Sequence, residues 1–261
     1  MDKRKVLLVS AVIMVIVGVP IMSKGYSMGA RSIVLFGDSE ADEVVDGSAD
    51  ISEFDTLTID VDDLDVYLQE GDEYKFEYCA DKRSQPEVIQ DGKNLTIKEN
   101  KINKVTFTIG TLDIRLDYKK PEYRITVPRD SAPVNVNIKN NSECVNISGV
   151  DINGSVVADY DEIFIEDITS DNLVVKASDE NVRLRNVKLG TADIEAYYDV
   201  KIDIDGKNEY SYDLQTGSSD DIVVAGVTST EESFKFENST SDKSITAKSS
   251  SGDITITFSE G

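Results

Sequence analysis

Carboxylates are the abundant reactive groups of this chain. It has 50 Asp and Glu among 261 residues, against 27 Lys and Arg and no histidine. Two groups are dense: Asp60, Asp62, Asp63 and Asp65, and then Asp199, Asp203 and Asp205 before Gly206. Such oxygens suit calcium, which takes about six to eight of them from flexible loops. Against that, Asp203-Ile-Asp205-Gly206 lacks the rest of an EF-hand loop, and the glycine-rich calcium repeat of some solenoids is missing. A carboxylate pair could also cleave a glycosidic bond, but no spacing selects a pair. The plainer reading puts these acids on the solvated side of alternating strands. No metal ligand set is assigned.

The missing residues exclude more than the present ones establish. Without histidine there is no Ser-His-Asp or Cys-His catalysis and no ordinary zinc site. No glycine-rich phosphate loop joins a strand to a helix. Tryptophan is absent, and the 11 tyrosines fall mostly at strand positions, where packing is the simpler role. The expectation is a protein that is not an enzyme, with no catalytic residue and no cofactor. Cys79 and Cys144 could form a bridge stabilising by about 4 kcal/mol in the chain-entropy model, or be two separate core thiols. Asn94, Asn140, Asn146, Asn153 and Asn238 match glycosylation acceptors, as chance allows in a chain rich in Asn, Ser and Thr.

The elements that must position these groups are strands. Between Val134 and Phe258 a pattern recurs: apolar, any, apolar, any, turn residue, apolar. The strict copies are Val145-Asn-Ile-Ser-Gly149-Val, Ile163-Phe-Ile-Glu-Asp167-Ile, Val182-Arg-Leu-Arg-Asn186-Val and Ile222-Val-Val-Ala-Gly226-Val. Looser copies start at Val200 and Ile254, so the gaps are 18, 19, 18, 22 and 32 residues. A near-constant period of strand-like units marks a solenoid, in which one unit cannot bury its apolar face alone. Alternation predicts Val182, Leu184, Val187, Ile202, Ile222, Val224, Ile254 and Ile256 inside. Gly149, Asp167, Asn186 and Gly226 tolerate a left-handed backbone best and mark corners.

Upstream, residues 51–130 are strand after strand without that period, and read as irregular first turns or a cap over an open end. Thr228 to Lys243 reads as a degenerate turn or an excursion. At the N-terminus Asp2-Lys3-Arg4-Lys5 precedes an uncharged run, Val6 to Met22. Those 17 residues reach about 26 Å as a helix, a little short of a hydrocarbon core of about 30 Å. The basic flank directs the rest outward. An uncleaved transmembrane anchor is the expectation, with a cleaved signal peptide as the alternative. Residues 1–30 hold four basic residues and one acid, which leaves 23 basic against 49 acidic beyond them. That field repels nucleic acid and anionic membrane surfaces. It suits divalent cations or cationic peptides, and also simple solubility.

Several segments resemble a known family. Ser249-Ser-Ser-Gly252-Asp253-Ile254-Thr-Ile256 and Thr216-Gly-Ser-Ser-Asp-Asp-Ile222 are similar to the "SSGDI" repeat of a bacterial "putative adhesin" domain family of unknown function. Phe54-Asp-Thr-Leu-Thr-Ile-Asp-Val61, Gly71-Asp-Glu-Tyr74-Lys-Phe-Glu-Tyr78 and Tyr123-Arg-Ile-Thr-Val-Pro128 resemble its opening. Ser178-Asp-Glu-Asn181 and Tyr197-Tyr198-Asp199 depart from its corner. The resemblance implies a β-helix at the bacterial cell surface and no catalytic residues.

The expected architecture is therefore all-β, a parallel β-helix with an irregular N-terminal portion and one transmembrane helix. Its divisions are 1–30 as stub and anchor, 31–50 as acidic tether, and 51–261 as solenoid, with repeats from 131. The expected role is binding, adhesion or scaffolding at the cell envelope, extracytoplasmic and held by a single membrane pass, toward a surface component and not nucleic acid. A polysaccharide-active β-helix enzyme and an envelope-stress component meeting cationic peptides are the alternatives.

Overall fold

The computed structural model describes residues 44–82, 84–100, 120–205, 209–217 and 220–259, and the backbone of 32–33 and 114–115. The chain divides into two units. In residues 1–43 and 103–119, Ser32–Ile33 pairs antiparallel with Ile114–Arg115. The other unit, residues 44–102 and 120–261, carries everything that follows. The expected anchor, Val6 to Met22, lies outside the described residues. Among the described residues no helix is long and apolar enough to cross a membrane.

The second unit is all-β and solenoid-like. Each coil holds two short strands, and the coils stack into two parallel ladders. Along the stack the first coil is Asn94–Lys98 with Glu122–Pro128, and the second is Thr56–Val61 with Asp65–Gly71. The third is Val134–Asn140 with Val145–Ser148. The fourth runs from Ile152–Ala158 into residues 163–168, the fifth from 173–177 into 182–187, and the sixth from 191–196 into Val200–Asp205. The seventh is Ser244–Ser249 with Ile254–Ser259, and the eighth Ser211–Gln215 with Ile222–Val224.

The coil order departs from chain order at both ends. Thr56–Val61 and Asp65–Gly71 stack between Asn94–Lys98 with Glu122–Pro128 on one side and the third coil on the other, and Ser244–Ser249 with Ile254–Ser259 are inserted between the sixth coil and Ser211–Gln215 with Ile222–Val224. Antiparallel strands finish each end: Glu87–Asp91, Lys75–Asp81 and Val44–Ala49 at one, Ser233–Phe236 and Val227–Ser229 at the other. They cover backbone edges that would otherwise stand open. Residues 51–130 therefore supply two regular coils as well as end strands. Val44–Ala49 is a strand within the stretch expected as a tether, and 228–243 carries antiparallel strands rather than another turn of the ladder.

The core is built from in-register stacks. Val66, Val145, Ile163, Val182, Val200, Ile254 and Ile222 occupy one position in successive coils, all buried. Leu68, Ile147, Ile165, Leu184, Ile202 and Ile256 form the next stack, also buried, and Val224 ends it half-buried. On the opposite ladder Ile97, Ile59, Ile138, Val156, Val175, Ile194, Ala247 and Leu214 stack likewise. β-Branched side chains pack well on a pleated surface, which is why period-two alternation suffices. All four expected corners have positive φ: Gly149 at 69°, Asp167 at 55°, Asn186 at 50° and Gly226 at 77°.

Candidate functional site

Among the described residues, three places gather polar side chains. At the first, Asp65 opens a strand of the second coil, Glu143 precedes one in the third, and Asp161 precedes one in the fourth. Stacking brings one carboxylate oxygen of each within 4.8 Å of the others. The space between them holds an ammonium. Lys120 Nζ lies 2.8 Å from Asp65, 2.6 Å from Glu143 and 4.0 Å from Asp161. Burial alone would lower the Lys120 pKa, but the hydrogen bonds to Asp65 and Glu143 outweigh it and hold it above its ordinary value. The Cys144 N–H donates to Asp65 Oδ1 at 3.3 Å. Burial, with Asp65 beside it, pushes the Cys144 thiol up to about 12. Burial and then Asp65 push the Tyr67 hydroxyl to about 12 as well. This cluster is a cation site that the chain itself fills.

The second place is a shallow hollow of about 200 Å³ lined by Asp151, Asp167, Asn186, Lys188 and Asp205. Each acid already has work in the fold. Asp151 Oδ1 accepts from the Thr169 N–H at 2.6 Å, Asp167 Oδ1 from Asn186 Nδ2 at 2.6 Å, and Asp205 pairs with Lys188 at 3.0 Å.

The third is the corner between the two ladders, one position before each strand of the second. Asn181, Asp199, Asp253 and Asp221 follow one another there. The Asp199 N–H donates to Asn181 Oδ1, the Asp253 N–H to Asp199 Oδ1, and the Asp221 N–H to Asp253 Oδ1, at 3.0, 3.1 and 2.8 Å. A side-chain oxygen thus satisfies the backbone donor of the next coil, as at a capped helix end. A hydrogen bond from Lys201 and the Asp253 N–H hold the Asp199 carboxyl below its usual value. Gly252 is close-packed there: a Cβ would come within 2.7 Å of Asp199 Oδ1 and of the Tyr198 carbonyl carbon. The same corner shows solvent three tyrosines, Tyr160, Tyr197 and Tyr198.

The two carboxylate groups singled out by sequence do not converge. In the first, Asp60 and Asp63 are exposed and Asp65 is buried in the Lys120 cluster. In the second, Asp199 serves the corner ladder, Asp203 accepts from the Thr257 hydroxyl and Asp205 pairs with Lys188. Sequence reasoning missed Glu143, Asp161 and Lys120; the only signal was register, since Cys144 and Glu162 immediately precede the repeat copies. Cys79 and Cys144 are thiols. Cys79 pairs with Glu122, Glu122 with Asp65, and Asp65 neighbours Cys144. Three strand spacings separate the cysteines by about 14 Å, beyond the roughly 7 Å that a bridge tolerates. Asn140 is fully buried, its amide donating to the carbonyls of Leu64, Glu143 and Cys144, so it is no glycosylation acceptor in the folded chain.

The model of a family described as Toastrack DUF4097 matches residues 54–261. The chain belongs to that family. The Toastrack match opens at the second coil and takes in all eight. Curated proteins gave no match. Among solved structures, a "putative cell adhesion protein" from Clostridium sporogenes is 12% identical, over 83% of this chain and 100% of that one, with a TM-score of 0.41. A "putative lipid binding protein" from Parabacteroides distasonis is 14% identical over 83% and 97%, with a TM-score of 0.35. A "putative adhesin" from Bacteroides fragilis is 11% identical over 85% and 100%, with a TM-score of 0.30.

Proposed function

We propose that this Toastrack chain is a binding or adhesion-like module of the bacterial cell envelope, held outside the membrane by its apolar N-terminal segment, and that it does not transform its ligand. The observation that carries the reading is the in-register outer surface. Side chains alternate outward on eight stacked coils, and cross-coil pairs such as Lys176–Glu195 and Arg183–Glu162 fix them in place. Repeat proteins commonly use such a rigid ladder for recognition. The gathered carboxylates are engaged in holding the fold, by Lys120, by Lys188, by the Asn186 amide or by backbone donors. That favours a structural role for them over catalysis.

The test uses the full chain. Purified protein is mixed with sedimentable cell-wall material, with peptidoglycan and with wall polysaccharides, and both retention and new reducing ends are measured. Retention without new ends is expected. Turnover that vanishes when one particular carboxylate pair is replaced would establish the enzyme instead. Protease shaving of intact cells, followed by mass spectrometry of the membrane-extracted chain, tests the outward orientation and whether residues up to Lys24 stay joined to Tyr26.

A further inference from the structure

The stack of coils ends on an open edge. Ser233–Phe236 pairs antiparallel with Ser211–Gln215 of the eighth coil, and among the described residues no strand covers its other side. The Thr216 N–H donates to the Glu232 carbonyl at 2.9 Å, which fixes the hydrogen-bonding phase. Bonded and unbonded pairs alternate in an antiparallel ladder, so Glu232, Phe234 and Phe236 turn their backbone groups toward the eighth coil. Ser233, Lys235 and Glu237 turn theirs outward, where a further strand would be received. The core runs out at the same end. Phe236 lies opposite Tyr212, and Val227 opposite Val224, which puts both side chains on the inner faces of their ladders. Phe236 is nevertheless 48% exposed and Val227 73%, because no coil follows them.

The sequence of this edge complements itself. When two copies pair antiparallel about Phe236, Lys235 of each lies opposite Glu237 of the other, with the two Phe236 rings between these pairs. Opposite charges directly across a ladder are favourable. Pairing about Lys235 would set lysine on lysine, and pairing about Phe234 would set Glu231 on Glu237. A lysine on an edge strand usually deters pairing, but here its counter-charge stands two residues on. The far end of the stack is different. There Ile89, 47% exposed, is the apolar residue of the edge strand Glu87–Asp91, and self-pairing about it would oppose Glu87 to Asp91 twice.

We propose that this end is the interface with a second copy of the chain: two molecules join antiparallel along residues 233–237, about a two-fold axis through Phe236. The contact is isologous, so each copy gives and receives the same pairs and the assembly closes as a dimer. Each copy supplies the layer that the other lacks. The Phe236 rings cover one another on the inner face, while Lys235 and Glu237 cross-pair on the outer one.

Sedimentation velocity of the full-length protein in mild detergent tests this, at physiological salt so that repulsion between two acidic copies is screened. A monomer–dimer equilibrium that depends on concentration is expected. Lys235→Glu alone, or Glu237→Lys alone, sets like charges opposite each other twice and should weaken the dimer by roughly tenfold. Lys235→Glu combined with Glu237→Lys restores opposite charges and should restore the dimer. Both side chains are largely exposed, so circular dichroism should show all three variants folded. Phe236→Cys, in a Cys144→Ser background, brings two thiols to an unbonded antiparallel pair with Cα atoms about 4.5 Å apart, within reach of a disulfide. Mild oxidation should yield a covalent dimer, and Ile89→Cys at the far end should not. Protein that stays monomeric at every concentration overturns the proposal. A dimer that Lys235→Glu leaves intact places the contact elsewhere and overturns it too. No bridge at Phe236→Cys, or equal bridging at Ile89→Cys, or open-ended oligomers, each rules out the two-fold axis through Phe236.

Discussion

Asn186 donates its side-chain amide to Asp167 Oδ1 at 2.6 Å, and both residues hold left-handed backbones one coil apart. The corner is therefore stabilised twice, by residue types that tolerate positive φ and by a hydrogen bond between them. Asn186→Val should lose both and cost about 2 kcal/mol. Asn186→Gly should lose only the hydrogen bond and cost about 1 kcal/mol. Urea denaturation of the two variants checks the order. Equal midpoints for valine and wild type would contradict it.

Ala225 and Gly226 form a two-residue hairpin loop between Ile222–Val224 and Val227–Ser229, both with positive φ, 52° and 77°. That is the type I′ geometry, which favours Asn-Gly or Gly-Gly. Alanine pays for a conformation that glycine adopts freely, so Ala225→Gly should stabilise by about 1 kcal/mol. A rise of a few degrees in melting temperature is the expected reading.

Tyr123 is fully buried, and its hydroxyl has no hydrogen-bond partner among the described residues. Burial raises its pKa, so the group stays neutral without becoming satisfied. Tyr123→Phe keeps the ring on Phe76, centroids 5.4 Å apart, and removes the stranded oxygen. The variant should match or exceed wild-type stability by about 1 kcal/mol. A loss of more than that would reveal a partner for the hydroxyl.

Cys144 is half-exposed yet its thiol is raised from 9.0 to about 12, by burial first and then by Asp65. At pH 8 its thiolate population should be about a thousandfold below that of an ordinary thiol, since only the thiolate reacts. Alkylation with iodoacetamide, mapped by mass spectrometry, should be correspondingly slow. The same shift bears on stability. A thiol whose folded pKa exceeds its unfolded one stabilises the fold below pH 9 and loses that contribution as pH rises toward 12. Tyr67 and Tyr212, raised from 10.0 to about 12, act in the same direction from pH 10 upward. Melting temperature should fall across pH 9–12, less steeply in Cys144→Ser.

Asp199 contributes on the acid side. Its carboxyl is held below 3.8 by Lys201 and the Asp253 N–H. A lowered carboxyl stabilises above its unfolded pKa and loses that contribution as pH falls through the folded one. Lys201→Met should therefore shift acid unfolding to higher pH, seen by circular dichroism between pH 2 and 5.

Much of the inner face was legible in sequence. Val182, Leu184, Ile202 and Ile256 alternate because a strand has two sides, and the corner residues show because few types accept positive φ. The acids were harder. Asp199 looks like a ligand in sequence, but its carboxylate accepts from the backbone N–H of Asp253, 54 positions away. Lys120 was invisible for a related reason: it meets Asp65, Glu143 and Asp161 only after coils far apart in the chain are stacked. Residues 56–71 and 94–128 hid their regularity because neighbours in space are not neighbours in sequence.

The insertion of residues 244–259 between the sixth and eighth coils sets a timetable for folding. A chain emerging from the ribosome can dock its third, fourth, fifth and sixth coils as they arrive. Residues 211–224 then come out with no surface to join, because their template has not yet been made. Tyr212, Leu214 and Ile222, all buried at the end, must wait in water for Ile245 and Ile254. The last coil to appear is thus the keystone of that end. Interrupting synthesis or clipping the chain just before Ser244 would leave those apolar side chains without their partners, a sticky tail that proteases and chaperones would recognise.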